Sequence, residues 1–184
     1  MKTGYKPLTP ATWADFVELF GEQGAYGGCW CMYWRQTRKE FSQNRGVKNQ
    51  TAMKTLVDQG IVPGILIYRY GRVIAWISIA PYEQFPSLER SLNLKRIDKQ
   101  SFWSIVCFYA LPEQRTGILP VLIDQAIAYA QDNGARIVEA YPSTVEQPSQ
   151  ALDRYMGSLK AFLAAGFSLH AQAGSKLILR KYLD

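Results

Sequence analysis

The sequence lacks several features that would point to particular classes of protein. No apolar run approaches the ~18 residues that a membrane-spanning helix needs. The first residues are polar and contain a proline, instead of the apolar core of a secretory signal. The cysteines number only 3, and an odd count does not suggest a disulfide framework. We therefore expect a soluble, cytoplasmic protein with reduced thiols and no membrane partner.

Histidine and clustered charge are also scarce. His170 is the only histidine in the sequence. Cys29 and Cys31 are separated by one residue, whereas zinc sites usually have CxxC spacings and four ligands. Cys107 and His170 are distant in sequence, so we expect neither a metal site nor a Cys–His nucleophile pair. The net charge of +6 favours an anionic partner. The basic residues are scattered, however, which disfavours nucleic acid.

Apolar and aromatic side chains, by contrast, are abundant. Of the 184 residues, 48% are hydrophobic, 13% are aromatic and 20% are charged. This is the composition of a globular chain with a packed core, and the length suits one domain. Apolar runs and period-2 patterns predict strands at 64–70, 72–80, 103–110, 136–141, 167–171 and 175–182. Helical spacing predicts helices at 10–20, 49–59, 119–131 and 155–165. Their order indicates a mixed α/β fold in one domain.

The strongest local signal for chemistry is a strand, a short polar loop and a helix between residues 105 and 130. The loop contains Gly117 and leads directly into the helix N-terminus. Unpaired amides and the positive end of the helix dipole suit a phosphate or pyrophosphate there. Glycine would let the backbone come close to such a ligand. An ordinary strand-to-helix connection explains the same pattern equally well.

The residues of this loop resemble the acyl-CoA pyrophosphate loop of the GNAT N-acetyltransferase superfamily, Q/R-x-x-G-x-G/A. They are Gln114, Arg115, Thr116, Gly117, Ile118 and Leu119. Segment 164–167 (AAGF) is similar to the helix end that precedes the last hairpin in that family. Segment 29–35 (CWCMYWR) resembles a segment that one bacterial branch of the family carries. The resemblance covers residues 25–183. It implies a single domain with a central mixed, splayed sheet flanked by helices, in which residues 1–100 mainly form the acceptor side and residues 101–184 the acyl-CoA side.

The resemblance further implies that an acetyl group moves from acetyl-CoA directly to a primary amine, without a covalent enzyme intermediate. The backbone of the splayed strand would hold the pantetheine arm and polarise the thioester, at Phe108, Tyr109 and Ala110. A fixed donor of this kind lowers a barrier by about 3 kcal/mol. A small-molecule or peptide amine would be the acceptor. The sequence leaves the acceptor and the oligomeric state open, a homodimer included.

The chain departs from the family pattern in the loop and near its C-terminal helix. Leu119 stands where the family has glycine or alanine, and its side chain would crowd the pyrophosphate. The arginine position of the motif holds Gln114, unless a shift of one residue aligns Arg115 with it. Phe162 stands where many members have a tyrosine that protonates the departing thiolate, and Tyr155 is a substitute acid or a packing residue. A non-catalytic acyl-CoA-binding or sensing module is therefore the alternative function.

Carboxylates and tryptophans complete the predicted site. Glu139 lies in an apolar strand, where it would be buried or face a cleft, and we expect it to deprotonate the amine unless it pairs with an arginine. Glu83 and Glu89 are alternatives on the acceptor side. Trp30 and Trp34 would line an acceptor pocket with Glu83, although packing in the core is an alternative use of the two indoles.

Overall fold

A computed structural model describes residues 3–144 and 154–184 of the chain. Within these ranges, seven strands form one sheet. They are β1 (Thr3–Pro7), β2 (Ile65–Arg69), β3 (Arg72–Pro81), β4 (Trp103–Ala110), β5 (Ile137–Ala140), β6 (Ser168–Ala173) and β7 (Lys176–Tyr182). Their order in the sheet is β1-β2-β3-β4-β5-β7-β6. Only β4 and β5 are parallel, so the sheet is mixed, as predicted.

Helices cover both faces of the sheet. They are α1 (Trp13–Phe20), α2 (Arg38–Gln43), α3 (Val47–Asp58), α4 (Pro86–Glu89), α5 (Leu119–Asp132) and α6 (Leu159–Ala164). Because successive strand residues point to opposite faces, Ile65 and Ile67 pack in the cluster that contains α5 and α6, whereas Leu66 and Tyr68 pack with α1 and α3. No helix in the described ranges is long and apolar enough to span a membrane.

Strand β4 separates from β5 part-way along its length. Only Trp103, Ser104 and Ile105 pair with β5, whereas the pairing of β4 with β3 runs from Trp103 to Ala110. The β3–β4 register shifts so that Val106 is an extra residue in β4. Such a bulge bends a strand and increases its twist. The bulge lies directly after the last β5 pair, so residues 106–110 diverge from β5, and the predicted splayed sheet is confirmed.

Some predicted boundaries are wrong for local reasons. The helix expected at 155–165 begins only at Leu159, because Gly157 has a φ of 83° and the Ser158 hydroxyl caps the helix by accepting from the Ala161 amide. The first helix begins as a 3-10 turn at Pro10–Thr12 before α1. Strand β1 and helices α2 and α4 were not predicted.

Candidate active site

A large cavity, the splay cavity, opens beside the residues of β4 that have left β5. Its volume is about 1160 Å³. Phe108, Tyr109 and Ala110 of β4 line it, and the first turn of α5 contributes Ile118, Leu119 and Leu122. The segment before α6 and α6 itself line the opposite side. The cavity therefore occupies the gap that the divergence of β4 from β5 creates.

The splay cavity is positively charged. Its lining contains Arg115, Arg154 and Lys160, and no carboxylate from the described part of the chain. The Arg115 Nε donates to the carbonyl of Ala110 at 3.2 Å. Helix α5, which is 14 residues long, adds the positive end of a dipole and unpaired amides at its start, although Pro120 in its first turn has no N–H to contribute. These groups suit a ligand that carries phosphates.

Six of the nine predicted acyl-CoA residues line this cavity, and three do not. Gln114 accepts a hydrogen bond from Arg69 Nη1 at 2.8 Å, so its amide is held toward β2, and Arg115 is the basic loop residue in the cavity. Thr116 and Gly117 are exposed outside the lining. Gly117 has a φ of 71°, a conformation that favours glycine. Leu119 packs against the core and still leaves the cavity open.

A smaller cavity, the aromatic cavity, lies on the α1 and α3 side of β4. Its volume is about 240 Å³. Val106, Cys107 and Tyr109 form its β4 wall, and its remaining walls come mainly from the loop after α1 and from α2. The aromatic residues that line it are Phe20, Tyr26, Tyr33, Trp34, Phe41, Tyr109 and Tyr155. The cavity is thus mainly apolar and has room for a small ligand.

Two tyrosines belong to the linings of both cavities. Tyr109 and Tyr155 line both of them. Burial raises the pKa of Tyr155 above its usual value, so its phenol stays protonated at neutral pH. Its ring lies 5.8 Å from the ring of Tyr26, centroid to centroid. Ligands bound in the two cavities would therefore both contact Tyr109 and Tyr155.

The sequence matches no model of a known protein family and no curated protein. Solved structures do match. A GNAT-family acetyltransferase from Listeria monocytogenes superposes with a TM-score of 0.60 at 9% identity, over 98% of this chain and 95% of that chain. PaiA N-acetyltransferase from Thermoplasma acidophilum, in complex with coenzyme A, gives a TM-score of 0.54 at 11% identity, over 100% of both chains. The fold is that of the GNAT acetyltransferases. Polyamine N-acetyltransferase from Drosophila melanogaster is likewise similar to this GNAT fold, with a TM-score of 0.56 at 11% identity, over 99% of this chain and 100% of that chain.

In this GNAT fold, the wall of the aromatic cavity includes an unusual loop after α1. Ala25, Trp30 and Cys31 have φ values of 68°, 45° and 58°. Each such non-glycine residue costs on the order of 1–3 kcal/mol, and such residues cluster at functional sites. A Cβ at Gly24 would clash with the Trp30 indole, so only glycine at this position lets the backbone pack against the Trp30 side chain.

Of the three predicted acceptor residues, one lines the aromatic cavity and two do not. Trp34 lines the aromatic cavity. Trp30 is only 3% exposed and stacks on Phe20 at 5.7 Å between centroids, so it packs in the core beneath the loop. Glu83 is exposed, forms an ion pair with Arg96 and lines neither cavity. Packing, the alternative that the sequence left open, is thus the use of Trp30.

The predicted base, Glu139, also lies outside both cavities of the GNAT fold. It is 2% exposed, and its Oε1 accepts from Arg180 Nε at 2.5 Å. Its Oε2 accepts from the Tyr141 hydroxyl at 2.9 Å. Burial raises the pKa of Glu139, although the hydrogen bond from Arg180 acts in the opposite direction. The arginine pairing that the sequence left open is therefore what the structure shows.

The three cysteines were not predicted as site residues, yet all of them line the aromatic cavity. All are free thiols. The Cys31 sulfur accepts from Trp76 Nε1 at 3.1 Å, and hydrogen bonding by the Cys107 thiol lowers the pKa of Cys31. The same interaction raises the pKa of Cys107. Across the described ranges, no group of three or more His, Cys, Asp or Glu residues could hold a metal ion.

Proposed function

We propose that the protein is an N-acetyltransferase that uses acetyl-CoA as co-substrate and a primary amine as acceptor. The observation that carries this proposal is that two cavities share Tyr109 and Tyr155 in their linings, beside a strand that has left its neighbour. The splay cavity has the size and charge for a phosphate-rich co-substrate, and the aromatic cavity has room for a small acceptor. The likeness to a structure solved with coenzyme A supports the same choice.

The splay cavity would hold the co-substrate along its length. Arg115 and the first amides of α5 would bind the phosphates. The β4 backbone from Phe108 to Ala110, which has no β5 partner, would bind the pantetheine arm and donate to the thioester oxygen. A preorganised donor of this kind contributes about 3 kcal/mol to catalysis. The thioester would then lie near Tyr109 and Tyr155.

When bound, acetyl-CoA supplies an activated acetyl group, so attack by the amine nitrogen forms a C–N bond while the C–S bond breaks. Tyr155 would donate its phenolic proton toward the departing sulfur, because it is protonated and lies at the junction. No carboxylate of the described residues lines either cavity, so the ammonium loses one proton to water before the attack. The second proton, which the nitrogen sheds after the attack, would return through water to the Tyr155 phenolate. Glu139 has no part in this mechanism, since it is buried against Arg180.

One observation favours a second function, a non-catalytic acyl-CoA-binding module. Phe162 stands where many GNAT enzymes have a tyrosine, and it is fully buried against Phe108 and Phe167. This side chain cannot donate a proton. The two functions differ in one measurable property, because a binding module would retain acetyl-CoA without releasing thiol when amines are added.

We also propose the finer features that the sequence suggests. Segment 29–35 would mark the bacterial branch with a CWCMxWR segment, and its strained backbone at the aromatic cavity supports a functional role for it. The free cysteines support reduced thiols and a cytoplasmic location. Scattered basic residues argue against nucleic acid as a partner, and a homodimer is compatible with the fold.

Calorimetric titration tests the proposed function. Acetyl-CoA should bind in the micromolar range at moderate salt, more tightly than ATP, and an amine panel should then release thiol. Arg115→Gln should weaken acetyl-CoA binding about tenfold, the effect expected of one lost charge-assisted hydrogen bond. Arg72→Gln, an exposed arginine outside both cavities, is the matched control. Equal binding of acetyl-CoA and ATP that vanishes with salt, or no binding, would contradict the proposal.

A further inference from the structure

The size and lining of the aromatic cavity limit what it can hold. Its volume of about 240 Å³ lies below the roughly 300–1,000 Å³ of cavities for drug-sized ligands. Seven aromatic side chains line it, and they offer mostly ring surface. A ligand that buries apolar surface against these rings gains the largest share of its binding energy from that contact. The cavity therefore fits one small apolar or aromatic group.

Two arginines give the cavity its charge. Arg38 and Arg45 line it, and neither makes an ion pair with a described residue. The Arg45 guanidinium lies over the Phe41 ring, 5.4 Å from its centroid, which keeps its charge beside the apolar wall. Arginine binds carboxylates with two parallel hydrogen bonds. A ligand with a carboxylate thus complements the cavity.

A third cation, Arg35, lies outside the lining. Beside the larger effect of the Cys107 hydrogen bond, it is close enough to the lining residue Cys31 to lower the pKa of that thiol. Arg35 donates to the carbonyls of Pro63 and Gln84 and to the Gln84 side-chain oxygen, and it makes no ion pair with a carboxylate of the described residues. Burial lowers the pKa of Arg35 to about 10, so it remains charged at neutral pH. No described carboxylate offsets these charges in the lining. A polyamine, which brings further positive charges, would be repelled.

The lining offers no carboxylate of the described residues to deprotonate the amine, so the basicity of the amine itself decides how well it reacts. An ammonium in an apolar, positively charged cavity has a lowered pKa, because both burial and like charges favour its neutral form. An amine that is already weakly basic then needs the least help. The α-amino group of an amino acid is less basic than a lysine side chain, whose pKa is about 10.4. An α-amine is therefore a better acceptor in this cavity than a lysine side chain.

From these observations we propose that the acceptor is an apolar or aromatic amino acid. Its side chain would fill the aromatic cavity, its carboxylate would bind Arg38 and Arg45, and its amino group would lie at Tyr109 and Tyr155. In the transfer, the α-nitrogen gains the acetyl carbon and loses a proton to water, and the sulfur keeps the electrons of the C–S bond and gains a proton. The transfer step rests on the proposed function, whereas the binding step does not.

Matched pairs of amines test this inference. The pairs are phenylalanine with phenethylamine, tryptophan with tryptamine, and leucine with isoamylamine, with spermidine as the polycation. Binding is measured by calorimetry without acetyl-CoA, and kcat/KM by thiol release. Each amino acid should exceed its decarboxylated partner about tenfold in both measurements, as expected for a charge-assisted contact, and spermidine should be the poorest. A preference for the decarboxylated amines or for spermidine would overturn the proposal.

Variants assign the preference to the two arginines. Arg38→Gln and Arg45→Gln should each remove most of the difference within a pair, by weakening the amino acid and not its decarboxylated partner. Lys39→Gln, an exposed cation of α2 outside both cavities, should retain the full difference. An equal loss for both members of a pair would contradict carboxylate binding at these residues.

The binding measurements separate this inference from the proposed function. Amino acid binding without acetyl-CoA binding would support the inference and contradict the acetyltransferase activity. Acetyl-CoA binding without any amino acid binding would overturn the inference and leave the activity standing. Failure of both ligands to bind would overturn both.

Discussion

At the scale of single residues, Tyr155 is the side chain on which the proposed chemistry depends most. Replacing it by phenylalanine removes the phenolic proton and keeps the ring that packs near Tyr26. Tyr155→Phe should lower kcat about 100-fold, a typical contribution of general acid catalysis, with KM for acetyl-CoA unchanged. Steady-state kinetics with thiol release measures both constants.

The pH profile adds a second readout. Burial raises the pKa of Tyr155 above its usual value of 10.0. Loss of this proton should therefore cause no decrease in the wild-type kcat at any pH up to about 10. Tyr70→Phe is the control, because Tyr70 is exposed in the turn between β2 and β3. A Tyr155→Phe enzyme with wild-type kcat would remove Tyr155 from the mechanism.

Residue positions within motifs were only partly predictable. The loop motif predicted Arg115 and Leu119 as cofactor-binding residues, and both line the splay cavity. The motif could not decide between Gln114 and Arg115, because that choice depends on the hydrogen bond that Arg69 of β2 donates to Gln114. In the same way, Trp34 lines the aromatic cavity and Trp30 does not. That difference arises from positive φ values that spacing does not reveal.

At the scale of elements, strand β5 is tied to β7 by a buried charge. Glu139 lies directly opposite Arg180 in the register, and Arg180 Nε donates to it at 2.5 Å. Glu139→Gln should lower the free energy of unfolding by about 3 kcal/mol, because it breaks a buried ion pair. The kcat of the folded protein should be unchanged. Urea unfolding and steady-state kinetics measure the two effects.

The matched control for this change is Glu83→Gln. Glu83 forms an exposed ion pair with Arg96, and such pairs contribute about 0–1 kcal/mol. The stability of this variant should therefore differ little from that of the wild type. A Glu139→Gln protein that is as stable as the wild type but has lost kcat would instead identify Glu139 as the catalytic base.

Elements with strong patterns were predicted well, and elements that depend on partners were not. The near-continuous apolar run of β4 predicted Trp103–Ala110 to the residue. Strand β1 contains Gly4 and Pro7 and few apolar residues, so only its pairing with β2 defines it. The bulge at Val106, which opens the splay cavity, follows from the unequal pairing of β4 with β3 and β5 and has no local signal.

At the scale of the whole molecule, one arginine connects parts of the chain that are far apart in sequence. Asp98 lies in the loop between α4 and β4, and its two oxygens accept from Arg180 of β7 at 2.6 and 3.1 Å. His170 Nε2 of β6 lies 3.5 Å from Asp98. Through Glu139, the same arginine reaches β5. The loop before β4 is thus fastened to the far end of the sheet by charge.

This connection should make the fold sensitive to acid. The hydrogen bond from Arg180 lowers the pKa of Asp98 to about 2, below the ordinary value of 3.8. The folded state therefore binds fewer protons than the unfolded state, and the stabilisation present above the unfolded pKa is lost as the pH falls toward about 2. Glu139, whose pKa is raised, contributes a slope of opposite sign at higher pH.

Asp98→Asn should accordingly lower the urea midpoint at about pH 6 and flatten its decline between about pH 4 and pH 2, because the group that titrates there is gone. Asp58→Asn is the matched control, since Asp58 pairs with Lys54 on the surface of α3 and such a pair contributes little. Urea unfolding of the three proteins at each pH gives the comparison. An Asp98→Asn protein that keeps the wild-type acid slope would place the acid-sensitive carboxylate elsewhere and leave the Asp98–Arg180 contact without a role in stability.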